Sequence, residues 1–138
     1  MDRLILPEKL EALRRGLARV EARRTESAEA LRADADRQDI ISLNLTRAVQ
    51  LCVDLATHVL ADTEQAPPQT MGEAFDLLAA EGTIPRELVA RMRRAVGFRN
   101  VAVHSYQAID WDIVHAITHE GLEDFQSYAR HLARLVDE

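Results

Sequence analysis

Leu6, Leu10, Leu13, Leu17 and Val20 recur at steps of four and three, a spacing that lines up side chains along one face of a helix with 3.6 residues per turn. A stripe of this kind must be covered by other elements, so it constrains the whole fold and not only its own segment. Pro7 falls in the first turn of this helix, where a missing N–H is tolerated. Five Gly and four Pro in 138 residues leave little room for the frequent turns of an all-β fold, and aromatics at 4% do not favour one. The pattern predicts a helical bundle.

Residues 25–36 mix Ser, Ala and acids without a stripe and read as a connection with room for a short helical turn. A second, longest helix is expected from about residue 36 to 62, ending before Glu64-Gln65-Ala66-Pro67-Pro68-Gln69, whose paired prolines cannot continue it. Thr70 with Glu73 matches a capping box and opens a third helix through Met71, Ala74, Phe75, Leu77 and Leu78, which stops at Gly82. Thr83-Ile84-Pro85-Arg86-Glu87 is expected to start a fourth, with Thr83 as its N-cap, and Leu88, Met92, Ala95 and Arg99 share its inward face. A fifth begins near Asp110 and carries Val114, Ile117, Gly121, Phe125, Tyr128, Leu132 and Leu135. The sum is an all-α, up-and-down bundle of about five helices with short connections, read as one domain over residues 1–138.

Hydrophobic residues at 47% and charged residues at 29% fit a globular protein. The opening Met1-Asp2-Arg3-Leu4-Ile5-Leu6-Pro7 meets charge and proline before a signal-peptide core can form, and no apolar run approaches the length of a membrane span. The single cysteine, Cys52, has no partner for an intrachain disulfide and lies in an apolar run, which suggests a reducing compartment and a buried thiol. The expected location is cytoplasmic. A net charge of −6 argues against a broad basic surface for long duplex DNA. Locally the sign reverses, because Arg86, Arg91, Arg93, Arg94 and Arg99 stand against the single acid Glu87. Arg91, Arg93 and Arg94 can steer a phosphate toward the segment that follows.

That segment, Arg99-Asn100-Val101-Ala102-Val103-His104-Ser105-Tyr106, gathers a permanent cation, an imidazole and a phenol. Arginine presents a planar fork of donors to phosphate oxygens at any working pH, and histidine passes protons near neutrality. In an unbroken helix Arg99 and His104 would sit about 140° apart. Joint action within one chain therefore requires the helix to end near Asn100, so that 101–106 bend back. The alternative is that Arg99 forms a buried ion pair and His104 caps or fills a loop.

Asn44, Arg47, Asp54, His58 and Asp62 form a polar seam on the second helix. Asp54 or His58 can support the motif by orienting Arg99 or an imidazole; a solvated outer stripe explains the same spacing. His115 and His119 lie four apart and can in principle share a metal, but the glutamate of the zinc-protease pattern is missing. No glycine-rich phosphate loop, dinucleotide fingerprint or Gly-x-Ser-x-Gly elbow occurs. No metal or cofactor is expected.

The run Phe98-Arg99-Asn100-Val101-Ala102-Val103-His104-Ser105-Tyr106, followed by Ile109-Asp110, resembles the motif of the HepT-type toxins of the HEPN superfamily. Val53-Asp54-Leu55-Ala56-Thr57-His58-Val59 is similar to that family's second-helix pattern, and Ala74-Phe75-Asp76-Leu77-Leu78 with Gly82 and Pro85 fits its middle section. The resemblance implies a HEPN-like homodimer whose two motifs face one another, acting as a metal-independent endoribonuclease and as the toxin of a type II toxin–antitoxin pair. It implies an MNT-type minimal nucleotidyltransferase as antitoxin, neutralising by AMP transfer to Tyr106. RNA cleavage without metal uses the 2′-hydroxyl as nucleophile. One His104 then serves as base and its symmetry mate as acid, while Arg99 steadies the phosphoryl oxygens, with Asn100 in support. The rival from another class is a noncatalytic dimeric helical module that binds a nucleotidyltransferase partner or a nucleotide. A metal-dependent hydrolase built on His115 and His119 is a third.

Overall fold

The fold is that of a computed structural model describing residues 4–136. The opening Met1-Asp2-Arg3, on which the absence of a signal peptide was partly read, lies outside them. The helices are α1 (Ile5–Arg23), α2 (Ala28–Arg32), α3 (Ala35–Leu60), α4 (Met71–Ala80), α5 (Arg86–His104), α6 (Trp111–Ala116) and α7 (Leu122–Ala133). A 3-10 turn, Tyr106–Ala108, follows α5, and a π-turn, Ile117–Gly121, joins α6 to α7. No strand occurs among the described residues. The all-α expectation holds; two more helices than expected arise because the 25–36 connection contains α2 and the C-terminal helix is divided by the π-turn.

The leading stripe is fully inward: Leu6, Leu10, Leu13, Leu17 and Val20 are all buried. They pack into one hydrophobic cluster with Ile41, Leu45, Val49, Cys52 and Leu55 of α3, Phe75 and Leu78 of α4, Leu88 and Met92 of α5, and Phe125, Tyr128 and Leu132 of α7. Each fully buried large side chain contributes about 1.5–3 kcal/mol, so this cluster is what holds the helices together. Lys9 Nζ meets Asp54 Oδ2 at 3.6 Å, while Arg37 Nε donates to the Arg23 carbonyl at the other end. Helices α1 and α3 are therefore antiparallel.

Local chemistry sets the boundaries. Ser27, Asp34, Thr70 and Asp110 each accept a backbone N–H as N-caps of α2, α3, α4 and α6. The Arg37 backbone N–H, with its guanidinium beside it, holds the Asp34 carboxyl below the usual carboxylate range. Gly82 ends α4 at φ 77°, and the next N–H, of Thr83, returns to the Leu78 carbonyl at 2.9 Å. A left-handed residue is needed there, which favours glycine. The cap of α5 differs from expectation: it is Pro85, at φ −69° and ψ 147°, and no side chain caps the helix. Proline disfavours helical geometry in the residue before it, so Ile84 stays outside and Thr83 is too early to act.

Candidate active site

Helix α5 does not end near Asn100 but runs on to His104. No glycine or proline lies between Phe98 and Asp110 to break it, and the Ser105 N–H still reaches the Val101 carbonyl at 2.8 Å. Ser105, at φ −150° and ψ 58°, makes the stop. The 3-10 turn then swings Tyr106 around the corner, and buried Ile109 pins the corner to the core. Since the helix is unbroken, Arg99 and His104 point about 140° apart and are about 7.5 Å apart along the axis. The bend that would join them within one chain is absent.

Arg99 follows Met92 and Ala95 along α5 and is half-buried. Its Nε is buried with no hydrogen-bond partner, while Nη1 donates to Asn100 Oδ1 at 3.2 Å. The buried ion pair is therefore not its state: among the described residues no carboxylate faces it. A buried donor left unmatched costs about 1–3 kcal/mol, a penalty that an incoming anion would relieve. His104 is exposed at the helix end.

Tyr106 is 40% exposed, lies edge-on to Trp111 with ring centroids 6.0 Å apart, and donates its hydroxyl to Asp39 Oδ1 at 2.6 Å. Partial burial first, then this bond to a carboxylate, raises its pKa above the usual phenol value. Asp39 is the site residue that sequence reading missed. Asp39, Ser42, Leu43 and Thr46 of α3 face Ala102, Val103 and Tyr106 across an open groove of about 320 Å³.

The remaining expected residues are placed elsewhere. Asp54 accepts from Gln50 at 3.0 Å and pairs with Lys9, so it does not orient Arg99. His58 lies nineteen residues beyond Asp39 on α3, about 28 Å along its axis, and its buried Nε2 has no partner. Neither supports the motif within one chain. Arg93 is bonded to Asp76, which also meets Arg86 at 3.4 Å, and Arg91 meets Asp124 at 3.4 Å. Gly72 makes room for this arrangement, since a Cβ there would come within 2.6 Å of Arg93 Nη1. Arg94 also faces Asp124, whose carboxyl is raised by burial and pulled back by Arg91 and Arg94. Of the three steering arginines, Arg93 and Arg91 are thus engaged by carboxylates, and the patch is largely neutralised.

His119 Nε2 donates to the Thr25 carbonyl at 2.7 Å, and its ring lies 4.5 Å from that of His115. That donation occupies the nitrogen a shared metal would need, and among the described residues no three His, Cys, Asp or Glu side chains gather as a metal site. Cys52 is buried, and burial pushes its thiol far above the usual range, which suits packing and not nucleophilic attack. No helix among the described residues is long and apolar enough to cross a membrane.

A helical bundle that sets an unpaired arginine, an exposed histidine and an exposed tyrosine at one helix end has the form of a HEPN protein. Residues 12–132 match the family described as Ribonuclease HepT-like, and the chain belongs to that family. It is similar to the mRNA nuclease HepT of Shewanella oneidensis, with 32% identity over 124 residues, which is 90% of this chain and 92% of that protein. Among solved structures it resembles a tri-AMPylated Shewanella oneidensis HEPN toxin in complex with MNT antitoxin, at TM-score 0.88 and 30% identity over 97% of this chain and 99% of that one. A toxin–antitoxin structure with AMP-PNP matches at TM-score 0.86 and 30% identity, over 96% and 99%.

Proposed function

We propose that this chain is the toxin of a toxin–antitoxin pair, a metal-independent endoribonuclease whose working form is a homodimer. The observation that carries this reading is the half-buried Arg99 guanidinium with no carboxylate to neutralise it, in a chain belonging to a ribonuclease family. A group of that kind suits a phosphate that arrives with the substrate.

Because Arg99 and His104 diverge in one chain, a twofold axis beside the end of α5 is the arrangement that lets groups from both subunits surround one linkage. Exposed Leu43 and Val103 supply an apolar face for it. One neutral His104 takes the 2′-hydroxyl proton, and that oxygen attacks phosphorus. The charged His104 of the partner subunit protonates the departing 5′-oxygen, leaving a 2′,3′-cyclic phosphate. Arg99 stabilises the dianionic transition state, and Asn100 orients the guanidinium. The need for a 2′-hydroxyl selects RNA over DNA.

Control is exerted at Tyr106 by an MNT-type nucleotidyltransferase. The phenol oxygen attacks the α-phosphorus of ATP, pyrophosphate leaves, and Asp39 is placed to receive the phenolic proton. The product carries an anionic diester and an adenosine two residues from His104, obstructing the cleft and competing for Arg99. The chain works as one domain in the cytoplasm.

Purified protein incubated with labelled RNA in EDTA is expected to yield 2′,3′-cyclic ends. His104→Ala and Arg99→Ala should each lower the rate by about 10²-fold or more. Cleavage that persists in both variants, or that EDTA abolishes, overturns the assignment; partner binding without any cleavage would make the chain a noncatalytic module. Mass spectrometry after coexpression with the cognate nucleotidyltransferase should find AMP on Tyr106.

A further inference from the structure

On the opposite flank of α3 from the Tyr106 groove lies a second concavity of about 240 Å³. Its floor and walls are Leu13 and Gly16 of α1 with Asn44, Ala48 and Leu51 of α3, and its rim carries Arg15, Arg19 and Arg47. No acidic residue lines it. In a chain of net charge −6, three arginines around one acid-free hollow make a local basic patch. Half of the other described arginines, Arg32, Arg37, Arg86, Arg91, Arg93 and Arg130, have a carboxylate partner. Arg15 has only an exposed contact with Glu11 at 3.8 Å, and no carboxylate pairs with Arg19 or Arg47 among the described residues. Arginines around one hollow favour an anion seated there.

Position suggests which anion. Leu43 and Arg47 are one helical turn apart on the exposed ridge of α3. Leu43 and Thr46 border the Tyr106 groove while Asn44, Arg47 and Ala48 border the arginine hollow. The two are separated by the width of one helix, about 10 Å, so RNA that emerges from the cleft beside the Leu43 dimer face passes next over the hollow.

We propose that Arg15, Arg19 and Arg47 form a phosphate-binding groove that holds the backbone of the RNA substrate away from the scissile linkage. This rests on the nuclease reading but concerns affinity and placement, not bond cleavage. Guanidinium forks hold phosphates in two-point contacts without reading bases, so the groove sets how RNA lies across the protein and not which sequence is cut.

The test is salt-dependent binding of a labelled single-stranded RNA to the His104→Ala protein. Each neutralised phosphate contributes a slope of about −0.7 in log affinity against log salt. The triple variant Arg15→Gln, Arg19→Gln, Arg47→Gln should have a slope shallower by about two. The triple lysine variant should keep the slope, and Arg14→Gln, Arg130→Gln, Arg134→Gln, with the same change in net charge, should leave it unaltered. An unchanged slope in the first variant, while the unsubstituted chain cleaves the same RNA, overturns the groove and leaves the nuclease standing. No RNA binding by the parent protein overturns both. Loss of antitoxin binding in the first variant with its RNA slope intact assigns the groove to an acidic protein surface and overturns the proposal.

Discussion

The two tyrosines of this chain hold the same hydroxyl in opposite ways. Tyr128 is fully buried, donates to the Cys52 carbonyl at 2.7 Å and stands edge-on to Phe75 with centroids 5.5 Å apart. Burial pushes its pKa well above the phenol range. Tyr106 leans outward against Asp39 and is raised for a mixture of reasons, burial first and the carboxylate second. An alkaline absorbance titration of the folded protein therefore reads Tyr106 alone. Asp39→Asn removes a charge that opposes phenolate formation, so the titration should shift to lower pH, and an unmoved curve would show that the bond to Asp39 has no influence. Nothing in the sequence points to this pairing, because Asp39 and Tyr106 are 67 residues apart and meet only through the packing of α3 on the end of α5. The same holds for Arg93 and Asp76. Charge counts along the chain reveal a basic run, but not that acids from two other helices have already engaged it.

Helices are legible where one strong pattern governs. The leucine stripe of α1, the capping residues Thr70 and Asp110, and Gly82 all stand where period and turn chemistry place them. Boundaries decided by competing signals are not. Thr83 looks like a cap, yet Pro85 two residues later dictates extended geometry and moves the start of α5. An early end to α5 is what joint action of Arg99 and His104 within one chain would require, whereas the backbone, lacking any breaker before Ser105, has no reason to supply one. Gly82 offers a direct check on the turn between α4 and α5. Gly82→Ala forces a side chain into left-handed backbone and should cost about 1 kcal/mol or somewhat more, read as a lower denaturant midpoint with an unchanged slope. No loss would mean that the backbone there is free to relax.

For the molecule as a whole, periodicity reveals the core and largely conceals the site, because a core is a property of each helix face while this site is divided between faces. Arg99 is turned inward with Met92 and Ala95 and His104 outward, and in the proposed homodimer a second copy completes the site. Leu43 is 50% exposed and belongs to no core contact that folding needs. Leu43→Asp should convert a dimer to a folded monomer in sedimentation and abolish RNA cleavage together with it. A monomeric variant that still cleaves would place the whole reaction in one chain. The π-turn at Ile117–Gly121 has its own implication for what this architecture tolerates. Its wider loop takes up one residue more than an ordinary turn and so keeps Val114 before it and Phe125, Tyr128 and Leu132 after it on the buried side. Trimming one residue inside the turn would leave an ordinary helical turn and the same buried set, whereas trimming one from within α7 would swing the residues beyond it by about 100°, so the wide turn is where this C-terminal helix can absorb a change of length.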